Sequence, residues 1–367
     1  MKIVVAPDKF AGTLTASEAA EAIAEGWSRT NPAAELVQMP MSDGGPGFID
    51  VLAHVLTGEQ FAVTVTGPDR EPVPAMLFKS GDTVYLESAQ ACGIALLENP
   101  NPWKTTTYGV GELIEKALDL KPKKIVVGLG GSGTNDGGAG MLAALGATSD
   151  KPLDQGPACL EDVGRVDFSK AKELLKNCEL VIASDVRTVL LGMFGATRTF
   201  GVQKGLDDQD IIKVDHILDQ FVVATLGNTP AERRLADEAG AGAAGGLGFA
   251  LLVLGGQMIS GIDLVADVIG LKAAVRDADL VISGEGSFDF SSRDGKVVYG
   301  VAQIAAELAK PCIVLAGEVD VGSREMRALG VESGYGLVDY FDLDFALTNA
   351  NTALSDMAQR VARSWTW

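Results

Sequence analysis

Histidine is almost absent from this chain: His54 and His216 are the only two in 367 residues. A His-rich metal centre or a Ser-His-Asp triad therefore has little material to draw on. Cysteine is nearly as scarce. Cys92, Cys159, Cys178 and Cys312 lie far apart and form no CxxC pair, which is the pattern of reduced, buried thiols in a cytosolic protein. Basic residues are outnumbered, 30 Lys and Arg against 49 Asp and Glu, for a formal charge of −19. Neither nucleic acid nor an anionic membrane attracts such a protein, so neither is an expected partner. A few local cations still suffice to bind a small anion.

Two further absences concern targeting. MKIVVAPD leads straight into a strand pattern with no long apolar h-region, so no signal peptide is expected and the reading is cytoplasmic. Ala239 to Ile262 carries no charge, a run long enough for a bilayer span of roughly 20 residues. Eight of its positions are glycine, so GAGAAGG reads instead as a turn before a short buried helix.

What the chain has in excess is glycine: 44 residues against roughly 26 at average usage. They cluster at the ends of short apolar runs. KIVVAPD (2–8), ELVQMP (35–40), KKIVVGL (123–129), ELVIASDV (179–186), DLVISGEGSFD (279–289) and CIVLAGEV (312–319) read as buried strands. Helical patterns separate them. Thr15-Ala16-Ser17-Glu18 is a capping box for a helix to about Arg29, another begins near Thr105, and 349–363 closes the chain.

FAVTVTG, VPAMLFK and TVYLES, within 61–88, alternate in period two and predict antiparallel strands. The predicted class is α/β: a doubly wound, mostly parallel Rossmann-like sheet with a second, inserted α/β domain and a cleft between them. Residues 1–60, 84–147 and 274–367 are assigned to the Rossmann-like domain, and 61–83 and 148–273 to the second.

In open α/β sheets ligands bind beyond the carboxyl ends of the strands. Small and acidic residues recur there: Asp8, then Asp43-Gly44-Gly45, then Gly130 through Gly138, then Asp185, then Glu285 and Asp289. Single carboxylates in such places are usually caps or loop anchors. Repeated placement with glycine-rich loops is what a Mg²⁺–nucleotide site requires, because bare backbone N–H groups approach phosphate oxygens and carboxylates hold the metal. Lys9, Lys204 and Lys296 are the cations nearest these loops.

Gly128-Leu-Gly130-Gly131-Ser-Gly133 matches GxGxxG after a strand. Thr134-Asn135-Asp136-Gly137-Gly138 intervenes before any helix, however, and the acids that follow, Asp150 and Asp154, fall in a loop. The dinucleotide fingerprint is therefore weakly met. No GxxxxGK[ST] P-loop is present.

The ordered motifs APDKFAGTL (6–14), SDGGPG (42–47), TTTYGVGELI (105–114), GLGGSGTNDGGAGML (128–142), SDV (184–186), FGVQKG (200–205), GAGAAGGLG (240–248) and GEGSFD…GK (284–296) resemble the type I glycerate kinase family over nearly the whole chain. The resemblance implies ATP-dependent phosphorylation of D-glycerate, usually at the 2-hydroxyl, with Mg²⁺. Catalytic roles then fall to Asp185, Lys296 and Asp43, with Asp185 a candidate proton acceptor. Substrate or phosphate contacts fall to Asp8, Lys9, Gly44, Gly45, Lys204, Glu285 and Asp289. Nucleotide contacts fall to Gly130, Gly131, Ser132, Asn135, Asp136 and Gly137, and metal ligation to Asp136 and Asp289.

The chain departs from the family's usual residues at Ala11, Pro46, Thr188, Val189, Val202, Ser287, Ser291 and Asp294. Arg187, Arg198 and Arg293 are additional charges near those positions. A diverged paralogue acting on or binding another small hydroxy acid, and more remotely a nucleotide-cofactor oxidoreductase, are the alternative functions.

Overall fold

The computed structural model describes residues 1–289 and 296–365; Ser291, Arg293 and Asp294 lie outside them. The chain forms two compact units. Unit 1 comprises Met1–Asp43, Asp50–Leu56 and Ile262–Trp367, and unit 2 comprises Gly44–Ile49 and Thr57–Gly261.

Unit 1 is built on five parallel strands: β1 (Lys2–Val5), β2 (Glu35–Gln38), β9 (Leu280–Phe288), β10 (Cys312–Val319) and β11 (Ser333–Gly336). Their spatial order is β11-β10-β9-β1-β2. Counted within the unit this is 2-1-3-4-5, the doubly wound order whose direction of winding reverses between the first and third strands. Runs of β-branched and aliphatic residues in β1, β9 and β10 suit strands covered on both faces. Ile3, Val5, Leu280, Ile282, Ile313 and Leu315 pack against the helices Ala16–Thr30 and Ala350–Trp365, while Val4, Val281 and Val314 are equally buried on the opposite face. The capping box at Thr15 and Glu18 forms as the sequence predicts.

Unit 2 contains a six-stranded mixed sheet in the order β3 (Glu59–Thr66), β4 (Pro72–Ser80), β5 (Thr83–Glu87), β6 (Lys124–Gly128), β7 (Glu179–Ala183), β8 (Gln257–Ile259). β3, β4 and β5 pair antiparallel, and β5 to β8 pair parallel. The predicted domain boundaries are corrected here. Residues 84–147, expected in the first domain, belong to unit 2 because β5 hydrogen-bonds on one side to the antiparallel β4 and on the other to the parallel β6. The hairpin and the parallel strands thus share one sheet. Residues 44–49 and 57–60 likewise group with unit 2, and 262–273 with unit 1.

The uncharged stretch from Ala239 is no span. Ala244, Gly245 and Gly246 have positive φ and break it, so that only a short apolar helix follows to Val253. No helix among the described residues is long and apolar enough to cross a membrane.

Candidate active site

In unit 1 the strand order places the winding reversal between β1 and β9. Asp8 follows the carboxyl end of β1, and its N–H donates to the Gly284 carbonyl in β9 at 2.8 Å. Lys9 donates its own N–H to Asp8 Oδ1 at 2.7 Å. The Lys9 ammonium stands 3.9 Å from Asp8 Oδ1 and 3.9 Å from Asp43 Oδ1. Burial pushes the Asp8 carboxyl up to about 6; Lys9 and Lys296 oppose that rise and Asp43 adds to it.

A second set lies around Lys296, whose Nζ is 3.7 Å from Glu285 Oε2 and 3.7 Å from Asp289 Oδ1. Glu285 is buried, while Asp289 and Lys296 are partly exposed. Asp8, Lys9, Asp43, Glu285, Asp289 and Lys296 therefore lie at the carboxyl ends of this sheet, as their positions in the sequence predict.

In unit 2 two glycine loops pack backbone against backbone. A Cβ on Gly130 would stand 2.7 Å from the Gly45 Cα, one on Gly128 2.4 Å from the Gly44 carbonyl, and one on Gly44 2.5 Å from the Ala183 carbonyl. These glycines are explained by close loop packing as well as by access to a ligand. Glu87, at the end of β5, fastens the first loop by accepting from the Gly47 N–H at 3.0 Å. Gly131 adopts φ +63°, and a side chain there would meet the Pro46 ring at 2.7 Å. Among the described residues, the backbone N–H groups of Gly130, Gly131 and Ser132 donate no hydrogen bond, while the Gly137 N–H is taken by the Gly245 carbonyl at 3.0 Å. The first three can serve an anion; Gly137 is committed to the fold, contrary to its expected nucleotide contact.

Asp136 is also corrected. Magnesium needs carboxylate oxygens that face phosphate. The fully buried Asp136 carboxylate instead accepts from the Thr107 N–H (2.8 Å), the Thr107 hydroxyl (2.9 Å), the Gly138 N–H (3.0 Å) and the Gly140 N–H (3.2 Å). Burial raises its proton affinity even against those four donors. Its oxygens are spent on holding the loop, so it fits neither a metal nor a nucleotide. Asp289 fits better, being a partly exposed carboxylate. Among the described residues no group of three His, Cys, Asp or Glu could hold a metal without other ligands.

Lys204, expected at substrate or phosphate, is 2% exposed. Its ammonium donates to Ser132 Oγ at 3.0 Å and to the Thr134 carbonyl at 2.7 Å. Asn135 donates through Nδ2 to Thr197 Oγ1 at 2.9 Å, and its Oδ1 is buried with no partner among the described residues. Asp185 lies two residues past β7, half-buried, at the same sheet edge as the glycine loop because β6 and β7 are parallel. Glu87 and Thr197 carry no signal in the sequence, and Thr107 is marked only by its motif TTTYGVGELI, because each acts through a residue far away in the chain.

The departures have diverse settings. Pro46 abuts Gly131. Val202 is exposed, as are Arg187 and Arg198. Val189 bridges to Gly195, and Ser287 Oγ lies 3.5 Å from Asp289.

Residues 3–366 match the model of the glycerate kinase family. A glycerate kinase of Haemophilus influenzae is 39% identical, over 99% of this chain and 98% of its own length. A glycerate 2-kinase of Escherichia coli K12 is 40% identical, over 88% and 87% respectively. A crystal structure described as glycerate kinase 2 of Salmonella typhimurium LT2 superposes with a TM-score of 0.82 at 37% identity, covering 100% of this chain and 98% of that one.

Proposed function

The chain belongs to the glycerate kinase family, and we propose that it transfers the γ-phosphoryl group of ATP to the 2-hydroxyl of D-glycerate, giving 2-phosphoglycerate and ADP. What carries this reading is the set of carboxylates and lysines at the winding reversal of the five-stranded sheet, with Asp8 and Lys9 after β1 and Glu285 in β9. A hydroxy acid presents one carboxylate and its hydroxyls. Lysine ammonium groups meet the first, and carboxylates accept hydrogen bonds from the second. The relative named a glycerate 2-kinase supports the choice of hydroxyl.

Unit 2 by itself holds groups suited to phosphate. The uncommitted N–H groups of Gly130, Gly131 and Ser132 suit phosphoryl oxygens. Asp289 would hold magnesium, which would supply charge neutralisation for the transferred group. Lys296 adds a cation beside Glu285 and Asp289.

The transfer needs an acceptor for the hydroxyl proton. As that proton leaves, the 2-oxygen bonds to the γ-phosphorus, and the bond from phosphorus to the β,γ-bridging oxygen breaks to release ADP. Asp185 is assigned this proton-accepting role. A specific observation favours Asp8 as a second reading: a carboxyl that burial brings to about 6 is matched to general-base work near neutral pH. The reaction takes place in the cytoplasm, where ATP is supplied and the four free cysteines stay reduced.

Incubation with MgATP and D-glycerate, followed by ³¹P NMR, tests the proposal. 2-Phosphoglycerate and ADP in equal amounts are expected. 3-Phosphoglycerate as product would overturn the assigned hydroxyl. Glycerate binding without turnover would favour the diverged ligand-binding paralogue.

A further inference from the structure

The cation beneath the glycine loop has a role that contact with substrate cannot explain. Lys204 lies at the end of a short helical segment, Val202–Lys204, that follows the helix Ala196–Phe200. From these two pieces the loop is gripped twice, by Thr197 on Asn135 and by Lys204 on Ser132 and Thr134. At 2% exposure the ammonium cannot meet a ligand directly. Its two bonds nonetheless dictate what the loop presents. Because Ser132 Oγ accepts from the ammonium, the hydroxyl's own proton must point elsewhere, which leaves it a donor. The ammonium on the Thr134 carbonyl polarises the peptide whose N–H belongs to Asn135. The first effect leaves the loop a hydroxyl donor for an anion.

We propose that Lys204 is a positioning residue for nucleotide binding: it acts through Ser132, fixing that hydroxyl as a hydrogen-bond donor to a phosphoryl oxygen, and does not itself touch the nucleotide. This rests on the kinase reading above and adds a specific donor to it. The titratable groups facing Lys204 are Cys92 and Asp136. Burial pulls Lys204 down to about 8, with the Asp136 carboxylate opposing that shift, so its charge is present at neutral pH and lost above. Cys92, pushed up to about 12 by its own burial, stays a neutral thiol throughout that range.

The test is a double-mutant cycle read by calorimetric binding of MgADP to the whole protein. Ser132→Ala and Lys204→Met should each weaken binding about ten-fold, and the double variant should be little worse than either, because one donor is lost in all three. Steady-state kinetics should show the loss in KM for ATP rather than in kcat, with KM for glycerate unchanged. Wild-type affinity should fall as pH rises through about 8, and the Ser132→Ala variant should lose most of that dependence. This pH comparison decides the matter even if Lys204→Met does not fold.

Multiplying losses, about a hundred-fold in the double variant, would overturn the inference by showing that the two residues act separately. A pH dependence preserved in Ser132→Ala would do the same. Wild-type protein that binds no MgADP would instead overturn the kinase reading, and this inference with it.

Discussion

Lys9 meets Asp8 twice: its backbone N–H donates to Asp8 Oδ1 at 2.7 Å, and its ammonium stands 3.9 Å from that same oxygen. Both contacts favour the carboxylate, yet burial outweighs them and Asp43 adds a like charge, so the group titrates near 6 instead of 3.8. Ionised Asp8 therefore opposes folding at neutral pH, and the penalty is relieved as pH falls from about 6 toward 3.8. Asp8→Asn should be more stable than wild type at pH 8, by up to about 3 kcal/mol from 1.4 kcal/mol per unit, and the gap should close near pH 4. Urea denaturation at the two pH values checks this. The same variant decides between the two proton acceptors. If Asp8 is the base, wild-type kcat falls below about pH 6 and Asp8→Asn loses nearly all turnover; if Asp185 is, Asp8→Asn keeps most of its kcat.

Gly131 is a second test point, because its φ of +63° and the Pro46 ring, 2.7 Å from where a Cβ would stand, both penalise a side chain. Gly131→Ala should lose about 1–3 kcal/mol, combining left-handed strain with overpacking. If the N–H groups of this loop bind phosphate, KM for ATP should rise while KM for glycerate holds. An unchanged KM for ATP would remove the loop from the nucleotide site.

Lys296 differs from Lys204 in being accessible. Its Nζ sits 3.7 Å from both Glu285 and Asp289 and is partly open to solvent. Lys296→Ala should lower kcat by about a hundred-fold or more, in line with about 3 kcal/mol for one preorganised charge at a transition state. The melting temperature should move by only a few degrees, since partly exposed pairs contribute little to stability. A variant with near-normal kcat would place the phosphoryl group elsewhere.

Local features of this fold were legible in the sequence, and partner choice was not. Thr15 and Glu18 announce a helix start because both halves of a capping box lie within four residues. CIVLAGEV spans all of β10 because a buried parallel strand is a continuous apolar run. The assignment of 84–147 failed because nothing in TVYLE states that β5 takes β4 on one edge and β6 on the other. Strand pairing is a long-range decision. The glycines show the same division. Their clustering marked the right loops, but the close approaches of Gly130 to Gly45 and Gly245 to Thr134 are between distant segments, invisible in either alone. Asp136 belongs to the loop and Lys204 packs against it, but both face its underside. A sequence shows which residues neighbour a loop and not which side of it they take.

Asp136 separates these two sides most sharply. As a metal ligand it would be exchanged for asparagine at the expense of metal affinity, and excess Mg²⁺ would restore activity. The structure instead gives its two oxygens four donors from Thr107, Gly138 and Gly140. An asparagine presents an NH₂ where one oxygen stood, so at least one buried N–H faces another donor, at about 1–3 kcal/mol for each group left unsatisfied. Asp136→Asn should therefore unfold at lower urea, with a loss of about 2–4 kcal/mol. Thr107→Val removes the hydroxyl from the same network and should lose less. Coupling between the two substitutions is expected, because they share one set of hydrogen bonds. Activity lost in Asp136→Asn should stay lost at any Mg²⁺ concentration. Recovery with excess metal, at unchanged stability, would return this carboxylate to the metal and leave the anchoring of the loop to Thr107 and its neighbours.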